Sequence, residues 1–570
     1  MKIACSLLAA LLATAPALSA SAAPATLRGV PAQLDAGQRE GYRAIFQAIH
    51  EKRWADAQAQ LEAMKQGPLH QIAYAELYVA KGSPKVDSDP LVAVLNAAPD
   101  LPEAPQIARI LAARGVSTPS LPEQQRLIWR DGATTRGRAK ATKLDLASAE
   151  LALKMQPFIK DDDGPAAQAL LDSTENLTPD ALVEWQQRVA WIYYLQGDNT
   201  NARAMAAKAR TGSTDWAVQG EWVGALAAWR QNDCGAAGKG FVQVAAKASD
   251  LELRAAGFYW AARADMKCGR PDLVEGRLRN AARLDETFYG MLARQALGIK
   301  EQPPLSDELM AADWEKLRNR PNVRVAAALV EIGETGLAND VLKQQARIGP
   351  ATEYASLVRL TETLDLPETV MWLGNNSPQG AMPPATARFP APKWSPDGGW
   401  QVDKALVYAH ALQESRFRKD VISPAGAYGV MQIMPAAAVD YARERGITVD
   451  RGSLSLPSIN IAVGQRTLER LRDQSFTGGY LPKVIAAYNA GPVPVAGWNS
   501  IVKDGGDPLL YIESIPYWET RGYVTTVLRN YWMYESKEGR TRSASRAALA
   551  QGMWPKFPGL PGPSAVRLTR

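Results

Sequence analysis

From about Leu27 to Leu317, apolar residues recur at the three-to-four-residue spacing of amphipathic helices, with Gly or Pro as punctuation. Runs of β-branched residues alternating with polar ones are missing, so the pattern predicts helices nearly throughout. Three stretches resemble one another: Trp191-Ile192-Tyr193-Tyr194-Leu195-Gln196-Gly197-Asp198, Ala228-Trp229-Arg230-Gln231-Asn232-Asp233-Cys234-Gly235, and Trp260 to Gly269. Each ends one helix and starts another. Gly197, Gly235 and Gly269 follow at intervals of 38 and 34 residues, the length of a helix–turn–helix repeat, and each suits a left-handed helix C-cap. Such hairpins bury their apolar faces only by stacking, which predicts a curved solenoid.

Periodicity continues with amphipathic helices at Val323 to Ile332, Ala338 to Gln345 and Tyr354 to Leu364. Residues 375–399 are dense in Pro and Gly and read as a linker or long surface loop. A block with further helices follows at Gln401–Glu414, Lys483–Ala487 and Glu519 to about Tyr534. The last thirty residues contain no Asp or Glu and read as a loosely held basic tail. The chain thus divides into 1–22, 23–319, 320–386, 387–540 and 541–570, and the pattern predicts an all-α protein.

Composition sets the compartment. Lys2, the apolar run Ile3 to Leu12 and Ala20-Ser21-Ala22 have the layout of a secretory signal with a small-residue cleavage site. No later window is long and apolar enough for a membrane span. Cys5 would be lost with the signal, leaving Cys234 and Cys268 at equivalent points of successive repeats. Stacking brings such points together and an exported compartment favours oxidation, so the two are expected to form a disulfide. The net charge of +6 and pI near 9.0 suit an acidic extracellular polymer better than nucleic acid. His50, His70 and His410 are scattered, so no metal cluster is expected. The glycine-rich run at 235–240 lacks the spacing and hydroxyl of a phosphate loop, and no cofactor is expected.

The chemistry is concentrated in the 387–540 block. Leu406, Val407, His410 and Ala411 form an apolar helix stripe with Glu414 at its end. A carboxyl group continuing an apolar face is partly desolvated, which raises its pKa and keeps it protonated near neutrality, as a glycosidic general acid requires. Gly426-Ala427-Tyr428-Gly429-Val430-Met431-Gln432-Ile433-Met434 reads as a tight turn, with Gly426 and Gly429 taking special backbone geometry. Gln432 offers an amide to a sugar and Met434 a soft apolar wall. Tyr488-Asn489-Ala490-Gly491 closes a helix. Glu519, after Tyr517-Trp518, is a second carboxylate beside aromatic rings, and also a natural helix N-terminal acid. His410 lies four residues before Glu414 on the same face and reads as a packed neutral histidine.

Glu414-Ser415, Gly429-Val430-Met431-Gln432, Ala487-Tyr488-Asn489-Ala490-Gly491 and Ile515-Pro516-Tyr517-Trp518-Glu519-Thr520-Arg521-Gly522-Tyr523-Val524, in this order, resemble the soluble lytic murein transglycosylases. The resemblance covers about residues 394–538. It implies a U-shaped α-superhelix, a small helical linker domain and a lysozyme-like catalytic domain. It also implies that Glu414 is the single catalytic acid and then base, and that Ser415 and Gly429 support the site. Ser423, Gln432, Met434, Tyr488, Asn489 and Glu519 would bind substrate, with Tyr488 reaching Glu414. Tyr428 and His410 depart from the family pattern. The implied reaction cleaves the β-1,4 bond between N-acetylmuramic acid and N-acetylglucosamine of peptidoglycan, leaving 1,6-anhydro ends. A monomer in the periplasm is implied, with room for association with cell-wall synthesis proteins. A lysozyme-like hydrolase using water and a non-catalytic cell-wall-binding scaffold are the alternatives.

Overall fold

A computed structural model describes residues 29–130, 135–142, 145–300, 308–381 and 383–563. The expected export signal at 1–22, with Cys5, lies outside the described residues, as do the last seven residues. The described residues form 29 α-helices, two short 3-10 helices and one two-stranded pairing, Leu127–Trp129 against Asn376–Pro378. The fold is all-α, as the periodicity predicts. The front half is not helical throughout: among the described residues, 116–130 and 135–142 form no helix and carry only that short strand.

The chain packs as two units that do not follow the expected boundaries. In the first, residues 29–123 pack with Leu309–Gln345. Asp35 caps the helix Ala36–His50 in a reciprocal box with Gln38, and Tyr42, Ile45 and Phe46 on that helix are buried. Glu331, from Pro321–Ile332, accepts hydrogen bonds from the Gln33 and Leu34 backbones. The expected linker domain 320–386 is therefore divided, its first part belonging here.

The second unit combines Gln124–Glu308 with residues 346–563. Its helical array runs through Pro179–Gln196, Asn199–Ala209, Asp215–Arg230, Cys234–Lys247, Leu251–Lys267 and Pro271–Ala282. The repeat reappears as a turn device. A left-handed residue stops one helix, and the Asp after it caps the next: Gly197 (φ 94°) before Asp198, and Asn232 (φ 60°) before Asp233. Gly235 is thus not the C-cap expected of it. Asn, which tolerates the left-handed region, does that work, and Gly235 falls in the first turn of the following helix. Cys234 and Cys268 stand at disulfide distance, with Cα atoms 5.7 Å apart.

One continuous core runs from Leu151, Trp260 and Phe288 in the array to Tyr408, Val484, Trp532 and Phe557. The Pro-rich stretch expected as a linker is tied into it. Phe389 is buried, and the Pro390 and Pro392 carbonyls accept from the hydroxyls of Tyr534 and Tyr408. The expected loose tail is also corrected over 541–563. Ala544–Ala550 is a helix whose Ala547, Ala548 and Leu549 are buried, Ser545 accepts from Trp532 Nε1, and Phe557 bonds back to Gly479. Lack of acidic residues marks disorder only where no apolar face accompanies it, and here one does.

Candidate active site

The helix Lys404–Ser415 carries Glu414 one residue before its end. Asp403 caps its start through the Ala405 N–H. Leu406, Val407, His410 and Ala411 are all buried. The helix stops in an unusual way: Arg416 (φ 54°) and Phe417 (φ 61°) are consecutive non-glycine residues in the left-handed region. Each such residue costs about 1–3 kcal/mol. Burial of the Phe417 ring against Tyr408 and Trp394 offsets the strain. The effect is to end the helix abruptly, with the Glu414 side chain at its mouth.

Glu414 is largely shielded from water, and burial pushes its pKa up to about 7. Tyr523 Oη donates to Glu414 Oε1 at 2.5 Å and opposes that rise, while the negative charge of Glu519 adds to it. Tyr523 and Glu519 lie four residues apart on the helix Trp518–Lys537, Glu519 exposed in its first turn and Tyr523 buried. Tyr523 was not singled out in the sequence, although its place four residues after Glu519 puts it on the same face. Burial and the nearby Glu414 carboxylate hold its own pKa well above the ordinary tyrosine value, so it remains a donor.

Tyr488, from the helix Leu481–Ala490, does not hydrogen-bond Glu414 as expected. Its hydroxyl donates to the Met431 carbonyl at 2.8 Å, an acceptor the tight turn presents to it. It still feels the Glu414 charge, which together with burial raises its pKa. His410 is fully buried. Its Nδ1 lies 2.9 Å from the Leu406 carbonyl, its ring packs edge-on to Tyr488, and burial lowers its pKa to about 4. It is a neutral packed histidine with Nδ1 as donor, as expected.

The tight turn underlies the site. Ser415 Oγ donates to the Val430 carbonyl at 2.7 Å, joining the end of the Glu414 helix to the turn. Tyr428 and Ile433 exchange backbone hydrogen bonds. Gly429 (φ 76°) has no room for a side chain: a Cβ would meet the Asn460 amide and come within 2.7 Å of the Leu454 carbonyl. Asn460, fully buried, is the residue sequence reading missed here. It donates to the carbonyls of Tyr428 (3.0 Å) and Leu454 (2.9 Å) and accepts from Met431 N–H (2.8 Å). A single Asn on the buried face of an amphipathic helix, Pro457–Arg472, is the only local signal.

Several expected sugar-binding groups are engaged within the protein. Gln432, itself left-handed (φ 48°), gives its amide nitrogen to the Val421 and Gly429 carbonyls. Ser423 Oγ accepts from Ala427 N–H, and Asn489 Oδ1 accepts from Thr520 Oγ1 at 2.6 Å, tying two helices together. Met434 is exposed at the start of Pro435–Arg445. Among the described residues there is no group of three or more His, Cys, Asp or Glu able to hold a metal ion.

Residues 396–509 match the transglycosylase SLT domain; Glu414 and Tyr488 lie inside the match, Glu519 and Tyr523 beyond it. The soluble lytic murein transglycosylase of Salmonella typhimurium is 39% identical over 132 residues, 23% of this chain and 20% of that one. A putative soluble lytic murein transglycosylase of Haemophilus influenzae is 26% identical over 289 residues, 49% of this chain and 46% of that one. These matches span between a fifth and a half of the relatives' own length. In structure, the 70 kDa soluble lytic transglycosylase of Escherichia coli superposes with a TM-score of 0.54 at 18% identity, covering 91% of this chain and 99% of that one. Residues 396–509 are thus similar to the transglycosylase SLT domain, and over most of its length the chain shares the fold of the 70 kDa soluble lytic transglycosylase.

Proposed function

We propose that the protein is a lytic transglycosylase that cleaves the β-1,4 bond between N-acetylmuramic acid and N-acetylglucosamine in peptidoglycan. The observation that carries this reading is Glu414: one shielded carboxyl whose pKa is pushed up to about 7, with a tyrosine donor on one oxygen. Such a group is protonated often enough to act as an acid and, once ionised, is basic enough to take a proton back. Glu414 gives its proton to O4 of the departing N-acetylglucosamine as the C1–O4 bond breaks, while the substrate's own acetamido oxygen closes on C1. The Glu414 carboxylate then takes the proton of the muramyl 6-hydroxyl as O6 displaces the acetamido oxygen. A 1,6-anhydro ring results, Glu414 is again protonated, and no water is consumed.

Ser423, Gln432, Met434, Tyr488 and Asn489 are assigned to the walls of the sugar subsites, and Glu519 to their rim. The internal hydrogen bonds of Ser423, Gln432, Tyr488 and Asn489 support a preorganised wall more than freely turning ligands. In this reading the chain is exported by residues 1–22, works as a periplasmic monomer, and is stapled by a Cys234–Cys268 disulfide. Solubilisation of purified murein sacculi tests it. Wild-type protein is expected to release soluble fragments and Glu414→Gln to release none; equal release by the two would end the catalytic reading and favour a binding scaffold.

A further inference from the structure

The helix that brings Tyr523 to Glu414 is anchored at its start by the helical array. Three consecutive residues ahead of it are each held. Glu513, fully buried at the end of Pro508–Ser514, accepts from Arg136 Nη1 at 2.5 Å on one oxygen and from Tyr289 Oη at 2.7 Å on the other. Ser514 Oγ lies 2.8 Å from Tyr194 Oη and accepts from Arg230 Nη2 at 2.9 Å. The Ile515 carbonyl accepts from Nε and Nη2 of Arg521, whose guanidinium lies 4.0 Å over the ring of Trp191. Every partner except Arg521 comes from residues 136–289. Helix Trp518–Lys537 begins three residues later.

A helix is stiff over a turn and a half, so the placement of residues 513–515 sets where Tyr523 sits. The Glu513 charge is the sensitive element. Stripped of Arg136, a fully buried carboxylate loses its ion partner, and the segment that carries it shifts in response. We propose that Arg136 and Glu513 are positioning residues for the reaction, holding Tyr523 on Glu414 from a distance. This rests on the functional reading above, in which Glu414 is the acid. The groups facing Glu414 are Tyr523 and Glu519 from one helix and Tyr488 from a second, while His410, on the Glu414 helix, packs against the rings of Tyr488 and Tyr523. Arg136 acts through the first of these.

The test is the pH profile of kcat/KM on isolated glycan strands, measured on the full chain. Loss of the Tyr523 hydrogen bond raises the proton affinity of Glu414, so Tyr523→Phe moves the alkaline limb to higher pH. Arg136→Met is expected to move the limb the same way and lower kcat about tenfold with KM little changed, while Arg136→Lys restores most of both. In a Tyr523→Phe background, Arg136→Met is expected to move the limb no further. An unshifted limb in Arg136→Met, whatever its thermal stability, overturns the proposal, as does a fully additive shift in the double variant. Should Arg136→Met fail to fold, Tyr289→Phe removes one hydrogen bond from Glu513 without stripping its ion partner, and the same two outcomes decide. A wild-type chain inactive on these strands refutes the functional reading itself, whereas an active one with an unshifted Arg136→Met limb refutes this inference alone.

Discussion

Tyr523 donates to Glu414 at 2.5 Å across 109 residues of sequence, and this bond restrains a carboxyl that burial would otherwise push still higher. A hydrogen bond to an ionised group contributes about 1.5–3 kcal/mol, or about one to two pH units. Tyr523→Phe should therefore raise the alkaline limb of the pH–rate profile by about one unit. Steady-state rates between pH 5 and 9 check this. An unmoved limb would mean that the tyrosine only fills space.

Glu414 also makes a statement about stability. Its folded pKa of about 7 lies above the unfolded value near 4.5. The folded state therefore holds the proton more tightly, and folding loses stability as pH rises from about 4.5 to 7. Glu414→Gln removes that loss. The variant should be more stable than wild type by about 1–3 kcal/mol at pH 8, with the difference vanishing below pH 4.5. Urea unfolding at the two pH values reads it directly, and a variant less stable at pH 8 would contradict the burial argument.

His410 titrates with the opposite sign. Its folded pKa of about 4 lies below the ordinary 6.5, so the stability of its neutral packed form is whole above pH 6.5 and falls as pH drops toward 4. His410→Gln should flatten the acid side of the wild-type stability curve. A curve with the same acid slope would place that slope in other groups.

The turn beneath the site depends on Asn460 and Gly429. Asn460→Ala deletes three hydrogen bonds of a buried amide and should cost about 2–4 kcal/mol, with activity falling alongside. Gly429→Ala meets both a left-handed φ and the Leu454 carbonyl, so it should destabilise by more than about 1 kcal/mol. Thermal melts of the two variants check both figures; wild-type melting in either would mean that the turn adapts.

The staple is separable from the chemistry. Closing a loop of 34 residues, a Cys234–Cys268 disulfide should contribute about 2–4 kcal/mol. The Cys234→Ser/Cys268→Ser variant should melt lower yet keep its rate at 25 °C, and reductant should lower the melting of wild type only.

How far the sequence discloses this site depends on the distance over which each signal acts. Glu414 and His410 are legible because one helix face carries both, and Glu519 because it opens a helix. Gly429 is legible because a turn demands it. Tyr523 is within reach of the same local reasoning, four residues beyond Glu519 on one helix face. Asn460 offers no pattern of its own, since one polar residue on a buried face states neither partner nor purpose. The Arg136 and Tyr289 contacts to Glu513 span 377 and 224 residues, and no local periodicity encodes them. The same limit explains the domain boundaries. Residues 309–345 return to the first unit and 541–563 join the second through long-range packing, which composition along the chain does not register.

In the proposed mechanism Glu414 works without water, and the products carry the signature. Sacculi digested by the wild-type chain should yield muropeptides one water lighter than hydrolytic fragments, with masses unchanged by borohydride because a 1,6-anhydro end has nothing to reduce. Fragments carrying the extra water and gaining two hydrogens on borohydride treatment would contradict that mechanism and make the protein a hydrolase.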